Sequence, residues 1–447
     1  MMKFAFVSVT AILLVAAHAG QLLSTQPYRI QPGRQYTNIL QNPISKIAPT
    51  QESGSYSAGA GKFELSDLGR QYSDTIETDA IQQYSFYGSS TQDFFGYDVS
   101  SAGDVNADGY EDIIIGAPYN DAGGTDAGRA YIFFGGAVVN IDADVVLIGL
   151  GAYQLFGHSV SSAGDVNNDG YDDVIVGAPS DGTNNLFPKS YIYYGGAAMD
   201  NSPDVTLSGT VNFGFSVATT GDINDDGFSD VIVGMDAQGL TSVYVYFGGN
   251  PMNNSADLTL TQTQGGFGSS VTSAGDVNGD GYSDFAVGYW LNSTGSFSLN
   301  GSVYVYFGGT LLDNVVDVII PGIASNDRLG NDVSCAGDVN GDGYSDLIAG
   351  AFTSNNGTGR AFIFYGGASM NTVPDVTITG EQVADFLGQS VAGIGDMNGD
   401  GYDDVLVGAY RNSETGQDAG KAYLFYGGNS MNNIADNQFS GTYGSFL

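Results

Sequence analysis

An acidic nine-residue stretch carries most of the chemistry this chain can offer. It begins at Asp104 and reads Asp-Val-Asn-Ala-Asp-Gly-Tyr-Glu-Asp. With Asp104 as position 1, side-chain oxygens fall at Asp104, Asn106, Asp108 and Asp112, and the glycine at position 6 is Gly109. Tyr110, at position 7, contributes its backbone carbonyl. Odd-numbered oxygens converging around a turn, with glycine at the sharp bend, are how an oxygen-only Ca²⁺ loop is built. Hard carboxylate and amide oxygens, with no His or Cys among them, select calcium over softer metals. The loop is not an EF-hand: position 12 is Ile115 where a bidentate Glu is needed, and β-branched runs follow it. The carboxylate of position 9 is placed to supply the missing ligand.

Asp, Asn and Gly are also ordinary turn formers. Repetition separates the two readings, because the same spacing returns five times at intervals of 54 to 62 residues. The second and third sets are Asp165, Asn167, Asp169, Tyr171 and Asp173, then Asp222, Asn224, Asp226, Phe228 and Asp230. The fourth is Asp276, Asn278, Asp280, Tyr282 and Asp284, and the fifth is Asp338, Asn340, Asp342, Tyr344 and Asp346. The sixth is Asp396, Asn398, Asp400, Tyr402 and Asp404. Three close carboxylates without a counterion repel one another and favour protonation. About six Ca²⁺ sites are therefore expected, acting as struts whose binding adds to stability.

The elements around each loop repeat as well. Every unit opens with Phe-Gly or Leu-Gly, as at Phe95-Gly96 and Leu329-Gly330, and the loop runs into an apolar segment such as Ile113-Ile114-Ile115-Gly116. A variable loop, an aromatic run ending in Gly-Gly and a last short run complete it. Four short segments per unit, rich in Val, Ile, Tyr and Phe, predict strands. One such sheet cannot bury both its faces alone. Radial packing of several sheets solves this in a β-propeller, whereas linear β-solenoids have shorter repeats. The expected fold is all-β, a propeller of four-stranded antiparallel blades. Seven blades are favoured over six, the extra one drawn from residues 24–88, where Phe63-Glu64-Leu65 and Tyr84-Ser85-Phe86 read as strands.

Composition narrows the function. With 49 Asp and Glu against 12 Lys and Arg, the formal net charge is -37. Such a surface repels phosphate backbones, so nucleic acid is excluded as a partner. Cys335 is the single cysteine, which rules out a disulfide scaffold. Residues 1–19 read as a signal peptide, with Lys3, an apolar run and Ala17-His18-Ala19 before the cleavage point. Its apolar run is shorter than a bilayer span, so no membrane insertion is expected. Residues 20–83 form an N-terminal arm or degenerate partial blade carrying Arg29, Arg34, Lys46, Lys62 and Arg70, and residues 84–447 form the repeats. The expected location is secreted, extracellular or cell-surface associated. Glycosylation sequons begin at Asn253, Asn292, Asn300 and Asn356.

The unit Phe-Gly-x-Ser-Val, Gly-Asp-Val-Asn-Gly-Asp-Gly-Tyr-x-Asp and Val-Gly-Ala-Pro resembles the FG-GAP repeat of the integrin α-subunit β-propeller. Gly-Ala-Pro is intact at Gly116-Ala117-Pro118 and Gly177-Ala178-Pro179, and relaxed at Gly350-Ala351-Phe352 and Gly408-Ala409-Tyr410. The resemblance covers residues 84–447. It implies a seven-bladed ring, the calcium loops given above, extracellular placement, and a role in adhesion or matrix interaction. All six repeats keep the loop here, where integrin propellers keep it in only some blades. A free-standing secreted propeller fits the sequence better than a receptor subunit.

No catalytic constellation stands out, so the chain does not read as an enzyme. His18 leaves with the signal, and His158 sits at the variable position of the Phe-Gly-x-Ser opening. Binding is expected at the loops that vary between repeats, with Tyr289 and Trp290 as candidates for stacking on a sugar or anchoring a protein, or equally as a hydrophobic plug over the blade edge. The expected partner is an extracellular protein or glycan. Two further readings stay open: a self-associating structural surface or matrix protein, and a carbohydrate-active or other extracellular hydrolase.

Overall fold

The computed structural model describes residues 13–15, 82–84, 86, 88, 90, 92–136, 140–180, 188–236 and 239–441. The five arm cations, Phe63–Leu65 and nearly all of the expected signal peptide lie outside these residues. So does most of the variable loop between Ser180 and Lys189.

Each sequence repeat supplies all four strands of one antiparallel sheet, paired in simple chain order. Blade 1 comprises Val99–Gly103, Asp112–Ala117, Arg129–Phe133 and Val145–Ile148, and blade 6 comprises Leu387–Gly395, Asp404–Ala409, Lys421–Phe425 and Asn437–Ser440. Among the described residues there are six such blades, which corrects the expectation of seven. Of the segment expected to give the extra blade, Gln82–Tyr84 pairs with Leu13–Val15 in a separate two-stranded sheet. That pairing builds no four-stranded sheet. The first strands of successive blades pack against one another in series, the arrangement found around a propeller axis.

The core lies between blades, not within them. One cluster joins Ile114, Ile132 and Leu147 of blade 1 to Val160, Val174 and Tyr191 of blade 2. Equivalent clusters fill the next four junctions. This explains the unbroken apolar second strands. Ile113–Ala117 and their counterparts in blades 2 to 5 are buried throughout: a neighbouring blade covers each face in blades 2 to 5, and in blade 1 Phe86 and Phe95 cover the face away from blade 2. In blade 6 the second strand has half-buried positions at Leu406 and Gly408.

The glycines of the repeat mark where backbones of adjacent blades meet. A Cβ on Gly177, in the second strand of blade 2, would collide with the carbonyl oxygen of Gly214 in the Phe-Gly opening of blade 3. Gly116, Gly234, Gly288 and Gly350 face the next blade's Phe-Gly or Leu-Gly glycine in the same way. Gly177→Ala is expected to cost about 3 kcal/mol by overpacking and to lower the melting temperature by roughly 5 °C. Gly196→Ala is the control, since its Cβ would meet nothing within 4 Å. Thermal melts of the two variants check this.

Candidate functional site

The acidic loop joins the first two strands of each blade. A register shift ahead of it, between Ser101 and Gly103 in blade 1, recurs at the same place in every blade. Such a bulge bends the strand and turns the loop outward. Two successive left-handed turns follow, at Ala107 (φ 57°) and Gly109 (φ 91°) in blade 1. Gly279, Gly341 and Gly399 take the first of these positions in blades 4 to 6, where φ is 75 to 77°.

Backbone N–H groups gather the position 1, 3 and 5 side chains. The amide of Asp108 donates to Asp104 Oδ1 at 3.0 Å and to Asn106 Oδ1 at 2.8 Å, bringing two ligand oxygens onto one N–H. Gly109 donates to Asp104 Oδ2 at 2.9 Å, and Tyr110 to Asp108 Oδ1 at 3.0 Å. Blade 6 repeats the frame at Asp396, Asn398 and Asp400. Blades 3 to 5 do the same. In blade 2 the position 1 and 5 bonds form, but Asn167 Oδ1 is buried without a hydrogen-bond partner. A buried acceptor left unpaired is costly. A cation among these oxygens would satisfy it, so the donor set fits a hard divalent ion.

Position 9 behaves differently. Asp112 is 1% exposed, and both its oxygens are held by backbone: Val105 N–H donates to Oδ2 at 3.0 Å and Gly135 N–H to Oδ1 at 2.7 Å. Asp173, Asp230, Asp284, Asp346 and Asp404 are fully buried with the same two partners. Each of these carboxylates latches the start of its loop to the Gly-Gly that ends the third strand. Burial pushes the carboxyls of Asp112, Asp284 and Asp404 up to about 7, and those of Asp173, Asp230 and Asp346 up to about 8. The two N–H donors offset only part of that rise. Position 9 thus spends one lone pair of each oxygen on the backbone, and two carboxylates, an amide oxygen and a carbonyl are free of this latch in each loop. Accordingly, no three His, Cys, Asp or Glu side chains among the described residues converge as a ready metal cluster.

The loops are also tied to each other. Gly196 of blade 2 donates to the carbonyl of Val105 in the blade 1 loop at 2.8 Å, and Asp172 N–H donates to the Asp104 carbonyl at 3.2 Å. Both bonds recur between blades 2 and 3, 4 and 5, and 5 and 6, and between blades 3 and 4 Gly309 donates to the Ile223 carbonyl in the same way. The result is a belt of acidic loops around one end of the propeller. Antiparallel order sends the variable loops to the opposite end.

On that opposite end the Tyr289-Trp290 pair splits. Tyr289 is 3% exposed and packs edge-on against Phe267 and Tyr304 in the core between blades 3 and 4. Trp290 is half-buried, with the Arg328 guanidinium 4.9 Å from its ring centre. His158 is held between the Phe215 carbonyl (3.1 Å) and the Tyr97 hydroxyl (3.2 Å), and burial lowers its pKa to about 4. Cys335 is buried, its thiol pushed up to about 12. Asn292 and Asn300 are buried and donate their amides to Ser302 Oγ and to the Gly322 carbonyl, whereas Asn253 and Asn356 are exposed. In a host that glycosylates asparagine, peptide mapping is expected to find glycan on Asn253 and Asn356 and none on the buried pair.

The FG-GAP repeat pattern matches residues 95–133, 156–197, 331–364 and 387–425. Integrin alpha-5 of Xenopus laevis is 32% identical over 209 residues, which are 44% of this chain and 20% of that protein. Integrin alpha-PS2 of Drosophila melanogaster is 31% identical over 258 residues, 51% of this chain and 18% of its own length. Integrin alpha-3 of Mus musculus reaches 40% over 103 residues, covering 22% of this chain and 10% of that one. The chain thus spans a fifth or less of the length of these relatives. Blades 3 and 4 lie outside the matched ranges yet carry the same loop frame and latch. Among the described residues no helix is long and apolar enough to cross a membrane. The described blades thus form a β-propeller in which the first, second, fifth and sixth blades match the FG-GAP repeat and part of the chain is similar to integrin alpha subunits.

Proposed function

We propose that this protein is a secreted, extracellular adhesion module. Calcium in the acidic loops stabilises its propeller, and its variable-loop face binds a protein or glycan partner. The observation that carries the reading is the loop frame, in which Asp104, Asn106 and Asp108, and their counterparts in the other blades, are gathered at one end of the fold. Asp104, Asn106 and Asp108 side chains and the Tyr110 carbonyl would hold the ion in blade 1, with the equivalent residues in blades 2 to 6. When bound, the ion neutralises carboxylates that otherwise repel, and the belt passes that gain from loop to loop. The opposite end is then a rigid platform for loops of differing sequence, the usual arrangement for recognition. Kinship with integrin alpha propellers supports an adhesive role. The test is retention of an extracellular-matrix extract on beads carrying the full chain, in Ca²⁺ and after chelation. Calcium-dependent retention supports the reading, and no retention in either condition contradicts it.

A further inference from the structure

We propose that Arg328 anchors a binding site for the carboxylate of a Glu or Asp in an acidic-apolar segment of a protein partner. This rests on the reading of the variable-loop face as the partner-binding face. The chain has 49 acidic residues and 12 basic ones. Of the six basic side chains among the described residues, two have an acidic partner. Lys421 holds Glu414 at 2.7 Å and Glu381 at 3.2 Å, and Arg411 holds Asp418 at 3.3 Å. Arg328, like Arg129 and Arg360, has no ion pair with any described residue and a buried Nε without a hydrogen-bond partner, but of these three it is the one that lies against aromatic rings. Two rings hold it instead: its guanidinium carbon is 4.9 Å from the Trp290 centre and 5.8 Å from that of Phe352.

The backbone is fixed in a conformation that arginine does not favour, with φ 56° at Arg328. The same place in the other repeats is held by Phe94, Leu155, Asn212, Gly266 and Phe386, all with positive φ. Arg328 is the charged member of that set. With rings beside it and no acidic partner among the described residues, the guanidinium has N–H groups left to pair, and its planar fork matches a carboxylate. The apolar surroundings strengthen the pairing. Its guanidinium also lies over the Trp290 face on which a neutral sugar would stack, which favours an anion over a glycan. Beside the site, Phe297 and Ile323 are 43% and 47% exposed, and their loops are joined by Ser298 N–H donating to Ser325 Oγ at 3.2 Å. Apolar residues flanking the carboxylate would cover them. A polyanion is disfavoured by the net charge of -37.

Trp290 is the single tryptophan, so its emission reads this site directly. The full chain in Ca²⁺ is titrated with acetyl-Gly-Ser-Leu-Glu-Leu-Ser-Gly-amide and with its Gln counterpart, exciting at the tryptophan edge. The Glu peptide is expected to change Trp290 emission saturably and to bind about tenfold more tightly than the Gln peptide. Arg328→Asn places in blade 5 the residue that blade 3 carries at Asn212, so the backbone keeps its turn. It should abolish the preference and leave the melting temperature unchanged. Arg328→Lys keeps the charge without the fork and should weaken the Glu peptide several-fold, which decides the matter if the Asn variant does not fold. Equal affinity for the two peptides, silence toward both, or a Glu preference that survives Arg328→Asn would overturn the proposal. Saturation by lactose with silence toward both peptides would overturn it in favour of a glycan site. The calcium loops lie at the other end of the fold and are tested separately, so either result leaves that reading to its own experiment.

Discussion

Alanine at Asp230 is expected to destabilise the propeller by about 4 kcal/mol, enough to lower the melting temperature by roughly 8 °C. Both oxygens of this fully buried carboxylate accept backbone bonds, from Ile223 N–H at 3.1 Å and Gly248 N–H at 2.9 Å. Alanine removes both acceptors and leaves two donors in a place water does not reach. Asparagine keeps the shape but turns an amide N–H₂ toward one of those donors, so about half the loss is expected. If position 9 were mainly a metal ligand, both variants would matter only in Ca²⁺. As a latch, Asp230 is needed with the ion and without it. Melts of Asp230→Ala and Asp230→Asn in Ca²⁺ and in chelator separate the two roles.

Chelation is expected to have a larger effect still, a fall in melting temperature of at least about 10 °C at neutral pH. Each site occupied at a hundredfold excess over its Kd contributes about 2.7 kcal/mol, and several sites act together. The effect will depend on pH. Without the ion, the buried position 9 carboxyls titrate near 7 to 8 in the folded protein, against about 4 in the unfolded chain. The folded state therefore holds more protons than the unfolded one between roughly pH 4 and 8. Its stability is fully present below pH 4 for these groups and is lost as pH rises through 7 to 8. Chelated protein should melt at progressively lower temperature from pH 5 to pH 9. Calcium-loaded protein should show a flat or opposite trend, since the ion's positive charge beside position 9 favours the ionised carboxylate. Melts at four pH values, each with and without chelator, check both directions.

Much of this architecture was legible because the repeats state it six times. The spacing of Asp104, Asn106 and Asp108 placed a turn between two strands, and the loop frame lies there in all blades. Blade number was misread: residues 24–88 were counted toward a seventh sheet on the strength of short apolar runs, but six repeats build the six described blades alone. Position 9 was read only as a ligand because chemical type, not burial, was used to judge it. Its neighbours were a clue, since Asp112 opens the apolar strand Asp112–Ala117 and a Gly-Gly follows the third strand in every repeat. A second polar fastening was missed as well. Asp144 Oδ2 accepts from Phe134 N–H at 2.8 Å, and Asp204, Asp257, Asp317, Asp375 and Asp436 repeat the bond. Sequence showed those aspartates but not the backbone donors they meet. For Tyr289 the sequence leaves an exposed stacking residue and a hydrophobic plug equally open, because its loop varies. It is still the last residue of a buried strand, and only Trp290 begins the loop.

The central claim is that these acidic loops are ion sites as well as turns. Calorimetric titration of Ca²⁺ into chelator-stripped protein tests it most directly. The account predicts about six equivalents bound, one per loop, with proton release at neutral pH. Absence of binding at millimolar Ca²⁺ would contradict it and leave the loops as hydrogen-bonded turns.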